Sequence, residues 1–170
     1  NRLLWKMPVR RMDAEQLRDA MLHVTGEMDL NMGGRAVEEE ASTRRSIYVV
    51  NKRNKHSTMM NHFDTPDLHN SCHLRDVTTT PIQALALING SWTIKRGEQF
   101  AHHLETLEAG SKKERISMAF QRALGRAPQE DELKEAQAFL ELTKGNPHEE
   151  REAWIDLCHV LINTNEFIYI

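Results

Sequence analysis

Two cysteines in 170 residues, Cys72 and Cys158, are too few to form a disulfide framework. They can pair, lie buried or act separately. Long apolar runs are missing as well. The longest, Ala84 to Ile88, falls far short of the ~20 residues a membrane-spanning helix requires. Neither sign of charge dominates: 22 Lys and Arg face 25 Asp and Glu, for a net charge of -3. That balance gives no electrostatic basis for nucleic-acid binding. Several chemical signatures are absent too. There is no Cys-x-x-Cys, no His-Glu-x-x-His, no acidic EF-hand loop, no glycine-rich phosphate loop and no serine nucleophile elbow. Cys-His occurs at Cys72-His73 and Cys158-His159, but His69 and Ile155 stand where a c-type haem motif needs its first cysteine. The sequence therefore predicts no covalently bound haem and no cofactor with a recognised motif in this chain; a metal stays open, though no standard spacing supports it.

What is present is a series of helix signals. Asp13 with Gln16 forms a capping box ahead of a helix predicted over Asp13–Met28, with Leu17, Ala20, Met21, Val24 and Met28 on one face. Thr80, Pro81 and Gln83 start a second helix, which should break at Asn89-Gly90 and restart at Ser91. Ser111 with Glu114 opens a third, stopped by Gly125. Pro128 opens a fourth, stopped by Gly145, and Asn146-Pro147 opens a fifth over Trp154, Leu157, Cys158, Leu161 and Ile162. Phe167–Ile170 forms an apolar tail expected to dock on the core. Arg44–Arg53, with Ile47, Tyr48, Val49 and Val50, reads as the one strand. Asn54–Val77 has no clean periodicity beyond a turn of helix at Thr58–His62. The expected fold is mainly α, a helical bundle-like domain with one short strand or hairpin and a long central irregular loop. Trp5, Trp92 and Trp154 are read as core residues.

The central loop carries the chemistry worth weighing. His56, His62, Asp64, Asp67, His69, Cys72 and His73 lie close together in sequence, with Met59 and Met60 among them. Imidazole, thiolate and carboxylate are transition-metal ligands, so His62, His69, Cys72 and His73 are candidate metal ligands. Their spacing matches no standard metal site, and the plainer reading is a solvated loop. Asp64-Thr65-Pro66-Asp67 is a turn signal. Arg75 is expected to pin the loop by pairing with Asp64 or Asp67. The rival for the two carboxylates is acid–base catalysis. Thr78, Thr79 and Thr80 precede a helix N-terminus, where amides and hydroxyls can hold an anion, although capping by Thr80 already accounts for Thr80, Pro81 and Gln83.

Several stretches together resemble one family: Phe63-Asp64-Thr65-Pro66-Asp67, Ser71-Cys72, Arg75, and Val77-Thr78-Thr79-Thr80-Pro81-Ile82-Gln83 through Asn89. Arg2-Leu3-Leu4-Trp5, Arg18-Asp19, Met32-Gly33-Gly34, Arg44–Tyr48, Arg122–Arg126 and Trp154–Tyr169 extend the likeness over the whole chain. The sequence is similar to the domain of unknown function 1553 family. The resemblance implies the C-terminal module of a large planctomycete surface protein that also carries a cytochrome-c-like domain. It implies an extracytoplasmic location, periplasmic or secreted. The expected partners are the other domains of the parent protein and, beyond them, polysaccharide. The chain opens in mid-pattern at Asn1, which fits a single domain, residues 1–170, within such a parent. The location also suits a Cys72–Cys158 disulfide, whose ~86-residue loop stabilises by ~4–5 kcal/mol in the chain-entropy treatment. Asp64, Asp67, Ser71, Cys72, Arg75, Thr78, Thr79, Thr80, Gln83 and Asn89 are the candidate motif residues. Three readings follow: a non-catalytic structural or interaction module; a hydrolase or metal-assisted enzyme acting on complex polysaccharide through His62–Pro81; or a transition-metal binder.

Overall fold

In the computed structural model, residues 3, 5–38, 42–53 and 58–170 are described. Arg2, Leu4, Glu39, Glu40 and His56 lie outside them. The order along the chain is α1 (Ala14–Val24), a 3₁₀ helix (Ser46–Tyr48), α2 (Thr58–His62), α3 (Pro81–Asn89), α4 (Ser91–Thr106), α5 (Lys112–Leu124), α6 (Glu130–Glu141), α7 (Pro147–Ile162) and α8 (Asn165–Ile168). The fold is mainly helical, as expected.

The capping signals act where the sequence places them. The Gln16 side chain accepts from the Asp13 amide at 3.0 Å, and Ser111 accepts from the Glu114 amide at 3.2 Å. Asn146 accepts from His148 at the head of α7. Gly125 ends α5 in the left-handed region at φ 70°, where glycine meets no Cβ penalty. Gly90 separates α3 from α4. The first helix is shorter than predicted. It ends at Val24, because Gly26 turns the chain at φ 73° and Thr25 bonds back to Leu22.

Helices α4 and α7 form the centre. Phe100, Leu104, Cys158 and Ile162 are almost wholly buried there, together with Leu17 and Met21 of α1 and Ile116 and Ala119 of α5. Each large apolar side chain removed from water contributes about 1.5–3 kcal/mol. The helices approach closely at Gly97, where an added Cβ would stand 2.9 Å from the His159 Cβ. The apolar tail docks as predicted: Phe167 and Ile168 are buried, Arg10 and Ile170 exchange backbone hydrogen bonds, and the Met12 amide donates to the Ile168 carbonyl.

The predicted strand is a correction. Arg44–Arg53 contains the 3₁₀ turn, and the pairing it makes with other described residues is by isolated bridges, Asp29 to Arg44 and Val37 to Val49. Among the described residues the β-forming segment joins no strand ladder, and Ile47 is 76% exposed. Instead Asp19 on α1 accepts from both the amide and hydroxyl of Ser46, which winds the chain into a turn at that point. Trp5 is a second correction. It is 79% exposed, whereas Trp154 is buried and Trp92 half-buried against the core. Cys72 is exposed and Cys158 is buried in α7, and both are free thiols. Among the described residues no helix is long and apolar enough to cross a membrane.

Candidate functional site

The central motif folds around Asp64. This residue sits at φ 59°, the one non-glycine positive φ among the described residues. Asp and Asn tolerate that region better than other side chains. The turn aims the Asp64 carboxylate back at the start of α3. Thr78 donates to it twice, from its amide at 2.8 Å and its hydroxyl at 2.7 Å. Arg11 donates at 2.6 Å, and the Gln83 amide nitrogen at 3.3 Å. Arg11 also donates to the Thr78 carbonyl and lies over the Phe63 ring. The Arg11 side chain is only 5% exposed and that of Asp64 17%. Burial pulls the Asp64 carboxyl pKa upward, but the Thr78 bonds and the Arg11 guanidinium outweigh it and hold the value below the usual aspartate range.

The rest of the motif builds outward from this clasp. Gln83 donates to the Thr78 hydroxyl and accepts from the Thr80 amide, while Thr80 accepts from the Gln83 amide. The capping box and the clasp therefore share one glutamine. The Thr79 hydroxyl approaches the Tyr169 hydroxyl at 3.5 Å, linking the motif to the end of the chain. Asp67 closes its own turn, accepting from the His69 amide at 3.0 Å and from Asn70 at 2.8 Å. The Cys72 thiol donates to the Leu74 carbonyl. Ser71, His69, His73 and Asn89 are exposed and His62 is half-buried. Among the described residues no three His, Cys, Asp or Glu side chains are grouped so that they could hold a metal ion, and His62, His69, Cys72 and His73 are not brought together as one.

Arg75 is the largest correction within the motif. It pairs with neither Asp64 nor Asp67. Its guanidinium grips Glu15 of α1 through two bonds, at 2.6 and 2.9 Å, with Asp13 4.0 Å away. Burial acts to raise the Glu15 pKa, yet the hydrogen bond from Arg75 brings it below its ordinary value. A hollow of about 350 Å³ lies beside this pair, lined by Asp13, Glu15, Gln16, Asp19, Ser46, Ile47 and Arg75. Its carboxylates already serve the fold: Glu15 holds Arg75, Asp19 holds Ser46, and Asp13 caps α1.

Two arginines missed in the sequence organise the surroundings. Arg11 lies beside Arg10 in a stretch with four cations and no carboxylate over residues 1–12, and nothing local sets the two arginines apart. Arg18 is fully buried and donates to the carbonyls of Ser42 and Arg44 and to the Ser46 hydroxyl. Its signal was readable, since it falls on the same stripe as Ala14, Leu17 and Met21.

A helical scaffold whose Phe-Asp-Thr-Pro-Asp turn is clasped to a Thr-Thr-Thr-Pro helix start defines the class of module. The family described as "Protein of unknown function (DUF1553)", PSD1, matches residues 1–140, and the chain belongs to that family. The match stops at the end of α6, so the likeness read over Trp154–Tyr169 lies beyond it. No curated protein and no solved structure matches the chain.

Proposed function

We propose that this chain is a non-catalytic structural and docking module. The Asp64 clasp carries the reading: the carboxylate at the heart of the motif is occupied by Thr78, Arg11 and Gln83. A general acid or base needs its carboxyl facing a substrate. Asp64 instead joins three separate parts of the chain: the segment before α1, the central loop and the start of α3. The motif residues are read as the means by which a short helix is held in place.

What α3 displays supports docking. Only Gln83 and Leu87 are buried, while Ile82, Leu85 and Ile88 stand 61%, 56% and 55% exposed. Val77 and Leu74, just upstream, are exposed as well. The proposed partners are the other domains of the parent protein, in an extracytoplasmic assembly with cytochrome-c-like and polysaccharide-related modules.

Graded substitution at Asp64 tests the clasp. Asp64→Asn keeps a side chain suited to positive φ and loses the charge opposite Arg11. It should lower unfolding free energy by about 1–2 kcal/mol. Asp64→Ala strains the turn and strands Arg11, and should cost about 3–5 kcal/mol. Urea titration followed by circular dichroism reads both. An alanine variant as stable as the parent chain would remove the structural role and reopen the motif as a reactive site.

A further inference from the structure

Asn89 closes the central motif, yet the Asp64 clasp makes no use of it. It is exposed, it is the last residue of α3, and Gly90 follows it. This is the one Asn-Gly pair in the chain. An asparagine carboxamide carbon and the backbone nitrogen of the next residue can close a five-membered ring. Glycine in second place leaves that nitrogen unshielded, since it carries no side chain.

The fold both requires this pair and restrains it. A Cβ added at Gly90 would collide with the Ala86 carbonyl oxygen, which is main chain and cannot swing aside. Only glycine fits this joint between α3 and α4. The Gly90 amide donates to the Ala86 carbonyl at 3.0 Å. The Gly90 carbonyl accepts from the Ile94 amide at 2.9 Å and from the Thr93 hydroxyl at 2.8 Å. That hydroxyl also reaches the Ala86 carbonyl at 3.1 Å, and Thr93 is 2% exposed. Ring closure must withdraw the Gly90 nitrogen from Ala86 and turn Asn89 out of its helical conformation. The closed joint blocks both movements.

We propose that Asn89–Gly90 is a self-modification site that reacts when the α3–α4 joint opens. The Gly90 nitrogen bonds to the Asn89 side-chain carbonyl carbon. The bond from that carbon to Nδ2 breaks, and the Gly90 amide proton leaves with Nδ2 as ammonia. Water then opens the resulting succinimide at either carbonyl, giving aspartate or isoaspartate. Both products set a carboxylate at the C-terminal end of α3, where the helix dipole disfavours negative charge. Isoaspartate also adds one carbon to the main chain beside a glycine held on both sides. The product therefore keeps the joint open, and the chain retains a covalent record of the opening. None of this depends on what covers the exposed stripe of α3.

Timed incubation of the 170-residue chain in mildly alkaline buffer tests the site, read by peptide mass mapping and isoaspartyl methyltransferase labelling. In urea Asn89 should convert before any other asparagine. In native buffer it should convert at least about tenfold more slowly, because local opening must come first. Thr93→Ala loosens the joint without stranding a carbonyl, since Ala86 keeps the Gly90 amide and Gly90 keeps the Ile94 amide. It should speed the native reaction about fivefold, the equivalent of one lost hydrogen bond, and leave the rate in urea unchanged. Thr93→Ser keeps the hydroxyl and should restore the slow rate. Native rates are read well below each variant's melting temperature, so that global unfolding makes no contribution. Equal rates in urea and native buffer overturn the proposal. So does another asparagine reacting first in urea, or a Thr93→Ala chain that reacts no faster than its parent.

Discussion

Arginine does much of the organising at the scale of single residues. Arg44 donates to the carbonyls of Asn31, Gly33 and Arg35 and lies 4.0 Å over the Tyr48 ring. Arg18 and Arg11 bind further carbonyls. A guanidinium offers five donors in a rigid plane, so one side chain can satisfy several loop carbonyls that have no strand partner. Local pairs were legible in the sequence, because Thr80 and Gln83 or Asp13 and Gln16 meet across one helical turn. Arg75 and Glu15 meet although they stand 60 positions apart, and no spacing rule reports such a pair. A different residue sets a pH dependence. His103 packs beneath Gly26, whose absent Cβ would stand 2.7 Å from the ring, and its Nε2 is buried without a partner. Burial, then the nearby Arg122 and His102 charges, push its pKa below the ordinary histidine value. The neutral ring is therefore the folded form. Its contribution is complete above the unfolded value of about 6.5 and is lost as pH falls through the lower folded value. His103→Gln should flatten the decline in melting temperature between neutral and mildly acidic buffer. An unchanged decline would assign the acid sensitivity to another group.

Among the elements, helices were read well and the strand was not. Helix starts are announced by side chains that cap their own backbone, so α3, α5 and α7 begin where the sequence says. A strand depends on a partner elsewhere in the chain. Ile47-Tyr48-Val49-Val50 has the composition of a strand but, among the described residues, no ladder to join, and the Asp19–Ser46 bonds decide its shape instead. The central loop was legible as a turn at Asp64 and as a helical turn at Thr58–His62, yet not as a clasp, because Arg11 lies far upstream. The α4–α7 contact gives the sharpest test at this scale. Gly97→Ala places a methyl against the His159 Cβ and Cα, which are main-chain-bound and cannot swing aside. It should cost about 1–3 kcal/mol, the usual range for overpacking a tight core. Urea denaturation would measure it, and no loss would mean that the helices slide apart freely.

For the whole molecule, the family match and the packing divide the chain differently. The match ends at residue 140, whereas α7 runs from Pro147 to Ile162 through the middle of the core. Ala153, Trp154, Leu157, Cys158, Leu161 and Ile162 fill it from that one helix. A chain cut after Leu140 exposes the apolar faces of α4 and α5 to water. It should keep some helical signal while losing near-ultraviolet dichroism and a cooperative melt. A sharp melt in that fragment would show that α7 is an accessory to the core.

The short ladder joining Arg10 and Met12 to Ile170 and Ile168 has a mechanical side. Both strands leave the body at the same end of the ladder. Tension applied at residues 10 and 170 would load its hydrogen bonds in sequence, as a zipper is loaded, and not all at once in shear. The first bonds to part are those between Arg10 and Ile170; the Arg11–Asp64 clasp takes the load next, ahead of the Met12–Ile168 bond. Under pull the module would open from its chain ends inward, while the α4–α7 core stayed shut.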